Sequence, residues 1–268
     1  MRALTSWWCR MADRGVSEVI GFVLIFSLIT LSVGTVYVVG FGGLQDARDA
    51  EQLTNVERAF DVLADNIDDI ATHDAPNRAT EFRLYEADIT VGEPTRFTVD
   101  VDNGTGTTSY SVNSYPIVYE AQTSPTTIRY VNGAVIRQDR NGERFIDEPS
   151  FVFRADAVGD TAIIPIIQTR SQGEQTVGGT GTVLVRTNSV LAESLGTHND
   201  DGTTYDVEIT VETTERRAGL WEEVLNRELD AAYGVTPCST SGGTVTCSPF
   251  TVDRVYVTTT RIDVSIDS

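Results

Sequence analysis

Few side chains in this chain are spaced for chemistry. Cys238 and Cys247 flank Ser-Thr-Ser-Gly-Gly-Thr-Val-Thr; that length and its Gly-Gly centre suit a hairpin closed by a disulfide, in an oxidising compartment. The same two thiols could instead hold a metal, but no histidine lies near them and their spacing is not that of a zinc knuckle. Asn103-Gly104-Thr105 is the one N-glycosylation sequon, and it is also an Asn-Gly turn signal, so both readings need an exposed tip. His73 and His198 each stand beside acidic turn residues, and neither falls in a ligand spacing.

The remaining motifs fall short of catalysis. Gln172 to Gly181 is glycine-rich but lacks the Lys-Ser/Thr that engages phosphate, and it reads as a flexible hairpin loop. Asp100, Asp102 and Asn103 come near a calcium loop, yet Gly104 arrives one residue early and the closing glutamate is missing. Asp200-Asp201-Gly202 reads as a turn. No G-x-S-x-G elbow is present. The expectation is a protein that is not an enzyme, with no cofactor, no metal and no small-molecule substrate.

The elements that position these residues begin with an apolar run. From Val19 to Phe41 no ionisable side chain other than Tyr37 interrupts the sequence, and about 20 apolar residues in a helix cross a bilayer core. The run lacks the polar face of a globular core helix. It is too long for the apolar region of a secretory signal peptide, and Val38-Val39-Gly40 is a poor cleavage site. Arg2, Arg10 and Arg14 precede it, while Asp46, Asp49 and Glu51 follow. The positive-inside rule then puts the N-terminus in the cytoplasm and the rest outside.

Asp13-Arg14-Gly15, then Val16-Ser17-Glu18, then the apolar helix resembles the class III signal of archaeal type IV pilin-like proteins. The resemblance implies that a prepilin peptidase cuts after Gly15, that the helix is retained, and that the mature chain begins at Val16. In bacterial pilins a glutamate near the new N-terminus pairs with a neighbouring subunit's amine. Glu18 is the assembly candidate here, although it is the third mature residue rather than the fifth. Its other reading is a solvated carboxylate at headgroup level, because such a group is costly to bury without a partner. Met11 to Gly15 makes a normal short leader by itself, so translation is expected to start at Met11 rather than Met1.

Composition narrows the partners. The 268 residues carry a net charge of −19, and all 20 basic residues are arginine. Phosphate binding needs clustered basic side chains, so nucleic acid is excluded as a partner. Acidic surfaces of this kind suit high salt, and with the leader the chain resembles a haloarchaeal protein.

Beyond the membrane segment Leu53, Val56, Phe60, Leu63, Ile67 and Ile70 repeat in steps of three and four. The spacing predicts an amphipathic helix over 45–73, packed on the ectodomain by this stripe. Gly40, Gly42 and Gly43 lie where it is cheapest to bend. Asp74-Ala75-Pro76-Asn77 ends it. After Thr80 the period changes to two, as in Phe97, Val99, Val101 and in Tyr205, Val207, Ile209, Val211. Further strands are expected at 82–91, 109–120, 126–131, 134–138, 162–169, 182–186 and 254–266, with hairpin turns at Asn132-Gly133 and Asn141-Gly142 giving a meander. In the last strand Val255 and Val257 are odd but Ile262, Val264 and Ile266 even, which predicts a bulge between Thr258 and Arg261. Arg217 to Tyr233 reads as a second helix, with Leu220, Trp221, Val224, Leu225 and Leu229 on one face and Gly234 as its stop.

The reading is therefore α+β. A leader over 1–15 precedes a transmembrane or filament-core helix over 16–44 and a packing helix over 45–73. A mostly antiparallel β domain, sandwich or curled sheet, fills 80–268 with one further helix near 217–233. The resemblance implies a minor pilin or pseudopilin at the cell surface, acting in filament assembly or adhesion, with the membrane, a prepilin peptidase and other pilin-like subunits as partners. The rival is an uncut single-pass envelope protein with a partner-binding β ectodomain; an archaellin is the lesser alternative.

Overall fold

The computed structural model describes residues 12–122, 124–173, 176–200 and 202–268, with side chains for all of these except 12–17 and 46. Two compact units divide the chain, Met1–Thr54 and Asn55–Ser268. One helix, α1 (Ala12–Thr72), contributes to both and runs through Gly40, Gly42 and Gly43 without a break in its helical backbone. In the second unit its apolar stripe meets a sheet. Val56, Phe60, Leu63, Ile67 and Ile70 are all buried, while Asp61, Asp65 and Asp68 stay exposed.

Among the described residues fourteen strands follow. The larger sheet has the spatial order β7 (Gly142–Asp147), β6 (Ala134–Asp139), β5 (Thr127–Val131), β4 (Ile117–Ala121), β1 (Asn77–Val91), β10 (Thr176–His198), β14 (Arg254–Asp267), β9 (Thr161–Ser171) and β8 (Val152–Arg154). The smaller runs β12 (Cys238–Ser241), β13 (Thr244–Val252), β11 (Tyr205–Glu212), β2 (Thr95–Asp102) and β3 (Thr107–Ser114). All pairs are antiparallel except β14 with β9. The expected meander is β4 to β7. Asn132 at φ 49° and Gly133 at φ 80° form its second turn, since an Asn-Gly pair tolerates the two positive φ values that match strand twist. Its third turn falls one residue earlier than expected, because Asp139 pairs directly with Gly142.

Three expectations are corrected. The strand expected over 109–120 is two strands in different sheets, β3 and β4. Pro116 between them has no N–H to give a ladder, and its carbonyl accepts from the Gly92 N–H at 2.8 Å. The glycine-rich stretch is not a hairpin loop. Residues 176–181 begin β10 and pair with β1, and β14 separates β10 from β9. A Cβ at Gly178 would lie 1.9 Å from Asp88 Oδ1, so any larger residue there makes the Asp88 carboxylate move.

The third correction concerns the parity slip in β14. No bulge interrupts β14, which keeps continuous register with β9 from Arg254 to Val264. The register shifts lie in β10, between Ser189 and Leu191 and between Ser194 and Gly196. The slip has another cause: the two faces of the larger sheet are covered by different layers. Val255 and Val257 join Ala162, Ile164, Phe97, Val207 and Trp221 in the core between the sheets. Ile262, Val264 and Ile266 are buried outside that core, on the face shared by Val185, Thr80 and Phe82. That face belongs to α1: the Phe60 and Phe82 rings meet edge to face at 5.1 Å. Strand β9 changes parity at the same level, with Ile166 and Ile167 both buried opposite Thr259 and Thr260.

Polar contacts fix the register of α1 on the sheet. Arg137 Nη1 donates to Glu57 Oε1 at 2.5 Å, Arg78 Nη2 to Asp69 Oδ2 at 3.0 Å, and Asn66 Nδ2 to Thr80 Oγ1 at 2.9 Å. The helix's acidic edge faces another carboxylate. Burial, followed by the charges of Asp65, Glu148 and Asp68, pushes the Asp147 carboxyl above its ordinary value of 3.8, outweighing a hydrogen bond from the Glu148 N–H. Burial and the charge of Asp147 push Asp61 up likewise. A carboxyl raised on folding binds its proton more tightly in the native state, so stability falls as pH rises above 3.8 through the raised value. Asp147→Asn should therefore stabilise the protein at pH 7, by under about 1 kcal/mol for so exposed a group. Urea unfolding should show the gain shrink to nothing once the pH falls below the ordinary carboxylate value.

Helix α2 (Glu215–Tyr233) closes the sandwich, and Gly234 ends it at φ 70° with its N–H on the Asp230 carbonyl. Trp221 is fully buried and meets Phe97 and Phe145 at 5.3 and 5.6 Å. Cys238 and Cys247 are directly opposed in β12 and β13 and form a disulfide. The loop it closes spans a sequence separation of 9, which in the chain-entropy account contributes about 2–3 kcal/mol. Thermal unfolding of a Cys238→Ala, Cys247→Ala double variant should show a loss of that size.

Candidate membrane anchor and processing site

Every large apolar side chain from Val19 to Leu44 is between 51% and 72% exposed. Monomeric soluble proteins rarely expose so large a contiguous apolar surface, and this part of α1 is, by length and composition, long and apolar enough to cross a membrane. Its polar atoms are arranged for such a medium. Thr30 Oγ1 donates to the Phe26 carbonyl at 2.8 Å, Ser32 Oγ to Ile29 at 2.9 Å, and Thr35 Oγ1 to Leu31 at 2.8 Å. Each of these three hydroxyls is satisfied on its own helix, as a hydrocarbon medium requires. The sequence signal for these contacts is a Ser or Thr three or four residues after the accepting carbonyl in an apolar helix.

Small residues interrupt the aromatic and branched ones. A Cβ placed on Gly21, Gly34, Gly40, Gly42 or Gly43 would meet no atom within 4 Å, so their lack of a side chain answers no contact inside the chain. Phe22 stacks with Phe26, and Tyr37 with Phe41, one turn apart.

The residues expected at the processing site lie at the start of this helix. Asp13, Arg14, Gly15 and Val16 have helical backbone within α1, and their side chains lie outside the described residues. The rest of the expected leader, 1–11, with Cys9 and both candidate start residues Met1 and Met11, lies outside the described residues as well. Glu18 is exposed, and among the described residues it has no ion-pair partner.

The other singled-out residues sit elsewhere, in the unit Asn55–Ser268. Asn103 is at the exposed β2–β3 tip, where its Oδ1 accepts from the Thr105 hydroxyl at 2.7 Å and the Thr105 N–H at 3.0 Å. The asparagine and threonine of the sequon are thus already in contact on a solvent-facing turn. Asp102 Oδ2 accepts from the Thr107 hydroxyl, and its Oδ1 from the Gly104 N–H, so this carboxylate of the incomplete calcium-loop pattern is engaged in the turn itself. These bonds pull the Asp102 carboxyl below its usual range. His73 lies by Asp69 and Thr72, and His198 Nε2 is 2.9 Å from the Tyr110 hydroxyl. Asp200 accepts the Thr203 N–H in the turn expected there; Asp201 lies outside the described residues. No group of three or more metal-binding side chains occurs among the described residues.

One family model, described as a family of unknown function (DUF7289), matches residues 14–265. Comparison with curated proteins and with solved structures gives no match.

Proposed function

We propose that this chain, which belongs to the DUF7289 family, is a membrane-anchored, surface-exposed subunit of the type IV pilin-like kind, acting in filament assembly or adhesion. The observation that carries the reading is the helix itself. Its first part is apolar on every side from Val19 to Leu44, and its second part, Val56 to Ile70, is docked by one stripe on a β sandwich. The order Asp13-Arg14-Gly15 before Val16 supports removal of a leader while the helix is kept.

The mechanism is physical. Before assembly the exposed cylinder is covered by lipid. On assembly it exchanges lipid for neighbouring helices, and since lipid tails are as apolar as leucine, the gain comes from close packing rather than from the hydrophobic effect. Gly21, Ser27, Ser32 and Gly34 permit that approach. Glu18, with no partner of its own among the described residues, is placed to pair with the freed amine of a neighbouring Val16.

Arginines before the helix and carboxylates after it put the β domain outside the cell. Protease added to intact cells should remove the unit 55–268 while the membrane helix stays in the membrane fraction. Protection of that unit until the cells are lysed would reverse the orientation and remove the surface role.

A further inference from the structure

The face of the larger sheet that carries the core at Ile164 and Val257 continues beyond Ile166 and Thr259, and there its side chains become polar. Gln168 and Arg170 on β9, and Arg261 and Asp263 on β14, stand on this continuation. Gln168, Arg170 and Arg261, with Glu93 and Tyr115, line a cleft of about 780 Å³. A second hollow of about 390 Å³ adjoins it, bounded by β3 and β10, and shares Gln168 and Arg261.

The cleft is organised around one guanidinium. The Asn113 carbonyl accepts from Gln168 Nε2 at 3.2 Å, and Gln168 Oε1 in turn accepts from Arg261 Nε at 2.8 Å. The backbone of β3 thereby orients the amide, and the amide orients the arginine. Both terminal nitrogens of Arg261 are left without a protein acceptor among the described residues. Arg170 differs, being held by Asp263 at 2.5 Å. One hydroxyl completes the pattern. Thr259 is only 6% exposed, lines the smaller hollow, and its Oγ1 has no partner among the described residues. Buried polar atoms are almost always paired, so it points to a missing polar occupant.

We propose that this groove binds a saccharide bearing a single carboxylate, a uronic acid among neutral sugars. The carboxylate lies on Arg261, whose planar fork matches it in two parallel hydrogen bonds. A sugar hydroxyl satisfies Thr259, and Tyr115 offers a ring to a sugar's C–H face. Glu93 and Glu193 at the rims repel a second negative charge, which selects one carboxylate over phosphate or a polyanion. Arg261, Gln168 and Thr259 all belong to the unit Asn55–Ser268, so the inference goes beyond the pilin-like reading and stands whether or not the leader is cut.

The test is titration of the full chain in lipid nanodiscs with cellobiouronic acid and with cellobiose, its neutral counterpart, followed by ligand-observed NMR at fixed ionic strength. Cellobiouronate should bind saturably and about tenfold more tightly than cellobiose. Arg261→Gln should erase that difference, Thr259→Val should weaken both sugars, and the exposed Glu193→Gln should tighten the uronate alone. The last variant touches no buried group, so it reads the charge argument without risk to folding. Equal binding of the two sugars, no saturation by either, an unchanged preference in Arg261→Gln, or tighter binding of a simple acidic peptide such as glycyl-glutamate would overturn the proposal.

Discussion

Gly15→Leu should abolish removal of the leader, so that the chain accumulates at its precursor length. The reading of Asp13-Arg14-Gly15 as a class III signal requires a small residue before the cut, and a branched side chain there blocks the peptidase. Membrane insertion should be unaffected, because the apolar run from Val19 to Leu44 is untouched and its length alone meets the bilayer requirement. Immunoblotting of the membrane fraction reads both results at once. A mature-length band from the variant would remove the processing site from Gly15. Release of the variant from the membrane would contradict the anchoring argument instead.

Phe60→Ala should cost about 3–5 kcal/mol of stability, as for other fully buried aromatics. Phe60 is 0% exposed and meets Phe82, also 0% exposed, in the centre of the surface between α1 and the larger sheet. The cavity has no easy route to collapse, since Leu63 and Leu84 beside it are buried in the same layer. Part of the loss should appear as local opening of 55–72, with faster amide exchange there than in β11. Val62→Ala on the same helix should cost within about 0.5 kcal/mol, because Val62 is 50% exposed. Similar effects at Phe60 and Val62 would mean that the stripe does not dock this segment.

That stripe was legible in the sequence because its steps of three and four are a local property, and each of Val56, Phe60, Leu63, Ile67 and Ile70 is buried as the spacing requires. The strands of Phe97 to Val101 and Tyr205 to Val211 were legible for the same reason, with one face in the core and one outside. The slip in β14 was misread because period-two reasoning assumes one buried face along a whole strand. In this fold α1 covers one face and the second sheet the other, and a strand passing beneath both must change parity without any bulge. Glycine misled in another way: Gly178 signals a loop locally, whereas in the fold it is a strand residue paired with Asp88 of β1.

The sites divide along the same line. Cys238 and Cys247 lie nine residues apart, so their hairpin could be read from the turn between them. The proposed processing site, Asp13 to Val16, is a contiguous motif, and the geometry adds only that these four residues have helical backbone. The cleft of Gln168, Thr259 and Arg261 left no sequence trace. Arg261 is an ordinary residue 93 positions from Gln168, brought beside it by the parallel pairing of β9 with β14.

The central claim is that the chain enters a surface filament after losing its leader. The most direct measurement is mass spectrometry of the N-terminal peptide of this chain in filaments sheared from intact cells. The account predicts the chain in that fraction, beginning at Val16. A chain found only in the membrane fraction, beginning at Met1, Met11 or Ala12, would contradict it.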